Sequence, residues 1–309
     1  MADFFLGRGV EQKKFREMGR SLVGSWWSRT FPTVTKTWQR VRGDRPPNSP
    51  QICLFYGEGG MGKTTLSRRL QRIAETEKPL AGRVLTVRLD WEAERDRDQG
   101  LQVGHDSVEP ETVLAVLCRV LAEKTEKGCF KGFWETQKQL RTAEEKVDKA
   151  LKQQDPTSSG FDKNLVEGGV RTVLTLVQKY FGMSDEAAKP YMDFGVKATT
   201  ELTNQAVRLV ERSLKAEERE LFKNPRVRLA QALGEGLAKC SARRPVVVFL
   251  DTYEIVDRPE CDLAVREVMR AAGARVLWVV TGRANLADSG RRGDRYIVDG
   301  ARHRSTISR

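Results

Sequence analysis

The sequence predicts an α/β fold, a central parallel sheet flanked by helices with a helical segment inserted between two of its strands. Three observations predict it. An apolar run, Gln51–Tyr56, leads into a glycine-rich stretch, and Leu66, Leu70 and Ile73 follow at helical spacing. Val246–Leu250 is apolar without a break and ends in Asp251, the pattern of a strand buried on both faces. Arg275–Val280 is a third apolar run and ends in Thr281-Gly282-Arg283.

The glycine-rich stretch is Gly57-Glu58-Gly59-Gly60-Met61-Gly62-Lys63-Thr64-Thr65. It fits G-x-x-x-x-G-K-[ST], and strand, loop and helix follow in the order that motif requires. Glycines let the backbone curl and turn its N–H groups inward as a nest for phosphate oxygens. Gly62 opens the helix, whose free N–H groups and positive dipole end face the anion. Lys63 brings a full charge to the β and γ phosphates, and the Thr64 hydroxyl is placed to ligate Mg²⁺. Thr65 continues the helix toward the α phosphate. The expected cofactors are ATP or ADP with Mg²⁺; the chain has no N-K-x-D guanine motif, which favours adenine.

Composition excludes several classes. The 309 residues are 39% hydrophobic and 31% charged, ordinary for a globular chain with many exposed helices. Five scattered cysteines, no C-x-x-C pair and two histidines argue against a zinc site or a disulfide framework. The N-terminus lacks the apolar core of a signal peptide, and no run reaches membrane-spanning length. A cytoplasmic protein with no membrane partner is expected. The net charge of +12 concentrates in residues 1–50 and 282–309. A solvated basic surface is the favoured reading of these ends, with nucleic acid as the alternative.

In chain order, residues 1–50 are a lead-in. Phe4–Leu6, Gly7-Arg8 and Glu11 precede a helix-like stretch through Phe15, Met18 and Leu22. Trp26, Trp27, Phe31 and Trp38 alternate with basic residues, a pattern that packs on a host domain or stacks on bases. Residues 51–124 form the first part of the core. Within them Arg83–Leu89 predicts a second strand, Asp90-Trp91-Glu92 its tip, 93–106 an exposed loop, and Val113–Leu121 a helix. Residues 125–223 predict a helical insertion in three pieces: Glu135–Gln154, Leu165–Phe181 weakened by Gly168-Gly169, and Pro190–Phe222. Residues 224–299 return to the core, with Tyr296–Val298 as a fifth strand, and 300–309 are expected to be a disordered tail.

The strand tips supply candidate chemistry. Asp251 can hold Mg²⁺ through a water. Glu254 is the candidate for orienting or activating an attacking water, with a helix-capping acid as the alternative. Thr281 can hold the same water, and Arg283 can reach a γ-phosphate; a plain strand-end arginine is the alternative.

Together, Gly7-Arg8 with Glu11, Gly57–Thr65, Val246–Glu254 and Val276–Arg283 resemble a STAND-class P-loop NTPase of the NB-ARC, NACHT and bacterial regulatory ATPase kind. The resemblance covers residues 1–20, 51–125 and 225–285. It implies a three-layer sandwich whose sheet runs in the order 5-1-4-3-2. It implies an ATP/ADP-controlled signalling switch with slow hydrolysis, and a protein partner or a homo-oligomer in the ATP state. It also places Gly7 and Arg8 beside the adenine pocket. Two departures stand out: the insertion is long for the family, and the helical lid, winged helix and repeats that normally follow are absent before Arg309. The expectation is a truncated product or an isolated ATPase module. Two other functions stay open, a DNA-associated AAA+ ATPase related to origin-recognition proteins and a non-hydrolysing nucleotide-binding interaction module.

Overall fold

The computed structural model describes residues 8–30, 49–102, 108–153, 163–180 and 200–286. In chain order these form α1 (Gly9–Thr30), β1 (Gln51–Tyr56), α2 (Lys63–Thr76), β2 (Leu85–Asp90), α3 (Trp91–Arg95), α4 (Gln99–Gln102) and α5 (Pro110–Lys124). Then come α6 (Lys131–Lys152), α7 (Lys163–Tyr180), α8 (Thr200–Ser213), α9 (Ala216–Lys223), α10 (Pro225–Arg243), β3 (Val246–Asp251), α11 (Pro259–Ala272) and β4 (Val276–Gly282). The chain divides into two compact units, Met1–Phe130 with Leu233–Arg309, and Lys131–Ala232. The second unit overlaps the segment expected as an insertion, residues 125–223.

The first unit is built on a four-stranded parallel sheet in the order β1-β4-β3-β2. An order of 5-1-4-3-2 counts five strands; the residues expected for the fifth, Tyr296–Val298, lie outside the described residues. So do the expected tail 300–309 and the aromatic residues Phe31 and Trp38 of the lead-in. β3 and β4 are buried along their whole length, which explains their unbroken apolar sequence. Period-two alternation sorts their side chains between two cores. Val247, Phe249, Leu277 and Val279 meet Phe15 and Leu22 of α1 and Leu66, Leu70 and Ile73 of α2. Val246, Val248, Leu250, Trp278 and Val280 turn to the opposite face, the side of α5 and α11. Each fully buried aliphatic or aromatic side chain contributes about 1.5–3 kcal/mol.

α1 is fastened to this frame by more than apolar contact. The Phe15 and Phe249 rings lie 6.1 Å apart, tilted by 42°. Arg16 donates to Glu77 at 2.8 Å, tying α1 to the end of α2. These contacts carry Arg8, just before α1, to the loop that follows β1.

The stretch expected as an exposed loop, residues 93–106, is partly helical. α3 and α4 occupy much of it, with Trp91, Glu94 and Leu101 buried. Charge composition hid this: Glu94 is held by Arg97 at 3.1 Å and Arg119 at 2.6 Å, so a charged segment can pack. Residues 103–107 lie outside the described residues.

The second unit is helical. Val147 and Leu151 of α6, Leu165, Val173 and Val177 of α7, and Ala206 and Val210 of α8 share one apolar core. Gly169 interrupts α7 with a positive φ of 64°, at the glycine pair that weakened the sequence pattern. The last expected piece, Pro190–Phe222, is two helices where described, α8 and α9, separated at Leu214-Lys215. Lys146 of α6 pairs with Glu218 of α9. Among the described residues no helix is long and apolar enough to cross a membrane.

Candidate functional site

The carboxyl ends of the four parallel strands lie along one edge of the sheet, where ligands bind in open α/β sheets. Gly57, Gly60 and Gly62 take positive φ values of 150°, 79° and 71°. A side chain is strained in the left-handed backbone region, which explains glycine there. Gly62 is the N-cap of α2, and its carbonyl accepts the Leu66 N–H at 2.9 Å. Its own side chain being absent, the cap leaves the first-turn N–H groups to another acceptor. Glu58, Gly59, Gly60 and Thr65 are exposed, while Met61, Gly62, Lys63 and Thr64 are half-buried.

The Lys63 ammonium folds back over this loop and donates to the carbonyls of Gly57 at 2.8 Å and Glu58 at 2.7 Å. From the other side the Arg8 guanidinium donates to the Met61 carbonyl, and it lies 3.9 Å from Glu11. Both cations therefore border the loop, and an anion among its N–H groups would meet their charge.

Asp251, at the tip of β3, is 1% exposed and is the hub of the edge. Its Oδ1 accepts the Thr281 hydroxyl of β4 and the Thr252 backbone N–H at 3.1 Å, and lies 3.4 Å from the Thr64 hydroxyl. Its Oδ2 is paired with the Arg88 guanidinium of β2. Arg88 also donates to Ser67 of α2 at 3.0 Å. Burial pulls the Arg88 guanidinium below its ordinary range, Asp251 and Asp90 push it back up, and Arg68 acts with burial. Arginine stays charged through such a shift, so the pair is ionic.

Thr252 follows in the left-handed region, φ 54° and ψ 42°, unusual for a β-branched residue. Its hydroxyl donates to Asp90 of β2 at 3.2 Å. With its N–H on Asp251, Thr252 is held by both carboxylates, and the chain turns sharply into Tyr253–Ile255. That turn presents Glu254, which accepts from the Arg283 guanidinium at 3.1 Å. Arg283 is 70% exposed, Glu254 23%. The turn rests on a buried network. The Tyr253 hydroxyl donates to Asp262 of α11 at 3.0 Å, and Arg266 pairs with the same carboxylate at 2.8 Å.

The structure thus brings Lys63, Thr64, Asp251 and Thr281 together at adjoining tips, and pairs Glu254 with Arg283 beside them. Thr281 is fully buried on Asp251, so its hydroxyl is committed to that carboxylate. Sequence reasoning missed Arg88, Asp262 and Arg266. A signal for Arg88 existed: Thr86, Arg88 and Asp90 alternate along β2, so all three share one face, and parallel pairing of β2 with β3 puts that face level with Asp251.

The loop fits a phosphate chain: a glycine cradle open at Gly59, Gly60 and Gly62, where an added Cβ would meet nothing within 4 Å, a helix N-terminus and a lysine. Among the described residues no group of three or more His, Cys, Asp and Glu could cage a metal by itself. Thr64 and Asp251 would fit Mg²⁺ in the other way open to it, since Mg²⁺ takes one or two carboxylates and completes its shell from phosphates and water. Comparison with family models, curated proteins and solved structures returned no match to this chain.

Proposed function

We propose that the chain is an ATP-binding P-loop NTPase of STAND type, a nucleotide-dependent regulatory switch with slow hydrolysis. The observation that carries this reading is the Gly57–Thr65 loop itself. Its positive-φ glycines, its lysine and the start of α2 stand beside an aspartate at the tip of a buried strand. The N–H groups of the loop would bind the phosphates, and Lys63 would leave the carbonyls of Gly57 and Glu58 for the β and γ oxygens. Mg²⁺, held by Thr64 and through Asp251, would supply charge neutralisation to the phosphates. A fifth strand beside β1 would complete the 5-1-4-3-2 order. Arg8, touching the loop from just before α1, would border the base.

The pairing of Glu254 with Arg283 supports slow rather than fast turnover, because one oxygen of the carboxylate that would orient the water is held by the arginine. The same pairing favours the second reading, a module that binds nucleotide without hydrolysing it. Titration calorimetry with ATP·Mg²⁺, ADP and GTP, on wild type and Lys63→Ala, tests the first step. Adenine nucleotides should bind the wild type and bind the variant at least tenfold more weakly; equal heats for both proteins refute the reading. Phosphate release by the wild type, lost in Glu254→Gln, would select the switch over the non-hydrolysing module.

A further inference from the structure

We propose that Arg88 withholds Asp251 from a divalent cation, so that Arg88 sets how strongly nucleotide binding depends on Mg²⁺. The inference rests on the nucleotide-binding reading above and adds to it a positioning residue on the neighbouring strand. Both oxygens of Asp251 are engaged within the protein: Arg88 takes Oδ2, and Thr281 and the Thr252 N–H take Oδ1. A cation approaching through Asp251 must therefore displace a guanidinium or sit beside one. Either is unfavourable, because two cations sharing one carboxylate repel and the carboxylate is buried.

Arg88 is held for this task from two sides. Its other nitrogen donates to Ser67, which is fully buried one turn beyond Thr64 on α2. The planar fork thus spans β2, β3 and the phosphate-loop helix. Asp90, the other acid at this edge, accepts from Thr252 and from the Glu92 N–H at 3.3 Å, capping α3. The pairing of β2 with β3 sets Arg88 opposite Phe249 and Asp90 opposite Asp251, so Arg88 reaches forward along the sheet face to its acid. The Thr64 hydroxyl lies against Oδ1, so a cation held on Thr64 meets Asp251 with the Arg88 guanidinium on the carboxylate's other oxygen, Oδ2.

The test is the ratio of ADP affinity with saturating Mg²⁺ to that in EDTA, by calorimetry on the whole chain. In Arg88→Gln the carboxylate loses its cation, and the ratio should rise about tenfold over wild type. Arg88→Lys keeps the charge, loses the fork, and should hold the ratio within about threefold of wild type while lowering the unfolding temperature. Ser67→Ala, which leaves Arg88 in place but drops one anchor, should raise the ratio by a smaller factor. It stands in should Arg88→Gln not fold. A purely structural Arg88 would weaken ADP equally with and without Mg²⁺; an unchanged ratio in Arg88→Gln and Ser67→Ala overturns the inference and leaves the nucleotide reading standing. A wild type that binds no ADP in either condition overturns the nucleotide reading, and the inference with it.

Discussion

The turn after β3 is only as firm as the carboxylate beneath it, and Asp262→Ala should show this. Asp262 is fully buried and serves the Tyr253 hydroxyl at 3.0 Å and the Arg266 guanidinium, itself 10% exposed, at 2.8 Å. Removing one partner of a buried ion pair costs about 3–5 kcal/mol, since the charge that remains was desolvated for that pairing. Tyr253→Phe removes a single hydrogen bond to a charged acceptor and keeps the ring, which costs about 1.5–3 kcal/mol. The helical unit and the α/β unit need not unfold together, so a melting curve alone does not place the loss in the sheet. Amide hydrogen exchange at Val247–Leu250 reports the opening of the sheet directly. A loss of ~3 kcal/mol speeds that exchange about a hundredfold, at roughly 1.4 kcal/mol per factor of ten. An Asp262→Ala protein whose β3 amides exchange at the wild-type rate would refute the reasoning, as would a Tyr253→Phe protein more damaged than Asp262→Ala.

Three further outcomes follow from packing and charge. Gly234→Ala should destabilise by about 1–3 kcal/mol in urea unfolding, because an added Cβ would lie 2.5 Å from the Ala271 Cβ and 2.7 Å from the Val268 carbonyl, backbone that cannot move aside. The Arg16 guanidinium holds the Glu77 carboxyl below its ordinary range, through their hydrogen bond first, against burial. A carboxyl so depressed stabilises the fold fully above its unfolded pKa and loses that contribution as pH falls through its folded value. Glu77→Gln should therefore cost up to about 1 kcal/mol at neutral pH, the pair being part-exposed, and the difference from wild type should vanish in acid. Burial pushes the Cys118 thiol up to about 12, so at pH 8 its thiolate fraction is about one in ten thousand. Mass spectrometry after iodoacetamide at pH 8 should find Cys118 unlabelled in the folded protein and labelled in urea; rapid labelling of the folded chain would contradict the burial.

Legibility from sequence depended on how local the determinant was. Gln51–Ala74 carries its own strand, loop and helix signals within one stretch, so both the elements and the placing of Lys63 and Thr64 could be read. Val246–Asp251 was readable because a strand covered on both faces has no polar interruption. Arg88 was legible only in part: alternation with Thr86 and Asp90 gives its face, but its contact with Asp251 depends on the register of β2 against β3. The pairing of Glu254 with Arg283 spans 29 residues and two strand tips, so no spacing rule expresses it. α3 and α4 were hidden for a different reason. Their charged composition reads as solvent-facing until Arg97 and Arg119 are seen to close on Glu94, which lets Trp91 and Leu101 bury. The left-handed backbone of Thr252, and with it the turn that carries Glu254, could come only from the structure.

A crystal structure of the chain grown with a non-hydrolysable ATP analogue and Mg²⁺ tests most directly whether Gly57–Thr65 cradles nucleotide phosphates. Phosphate oxygens should lie on the loop N–H groups, the Lys63 ammonium should have moved from the carbonyls of Gly57 and Glu58 onto the phosphates, and the cation should lie against the Thr64 hydroxyl. A nucleotide bound elsewhere, or no nucleotide at saturating concentration with Lys63 still on those carbonyls, would contradict this reading.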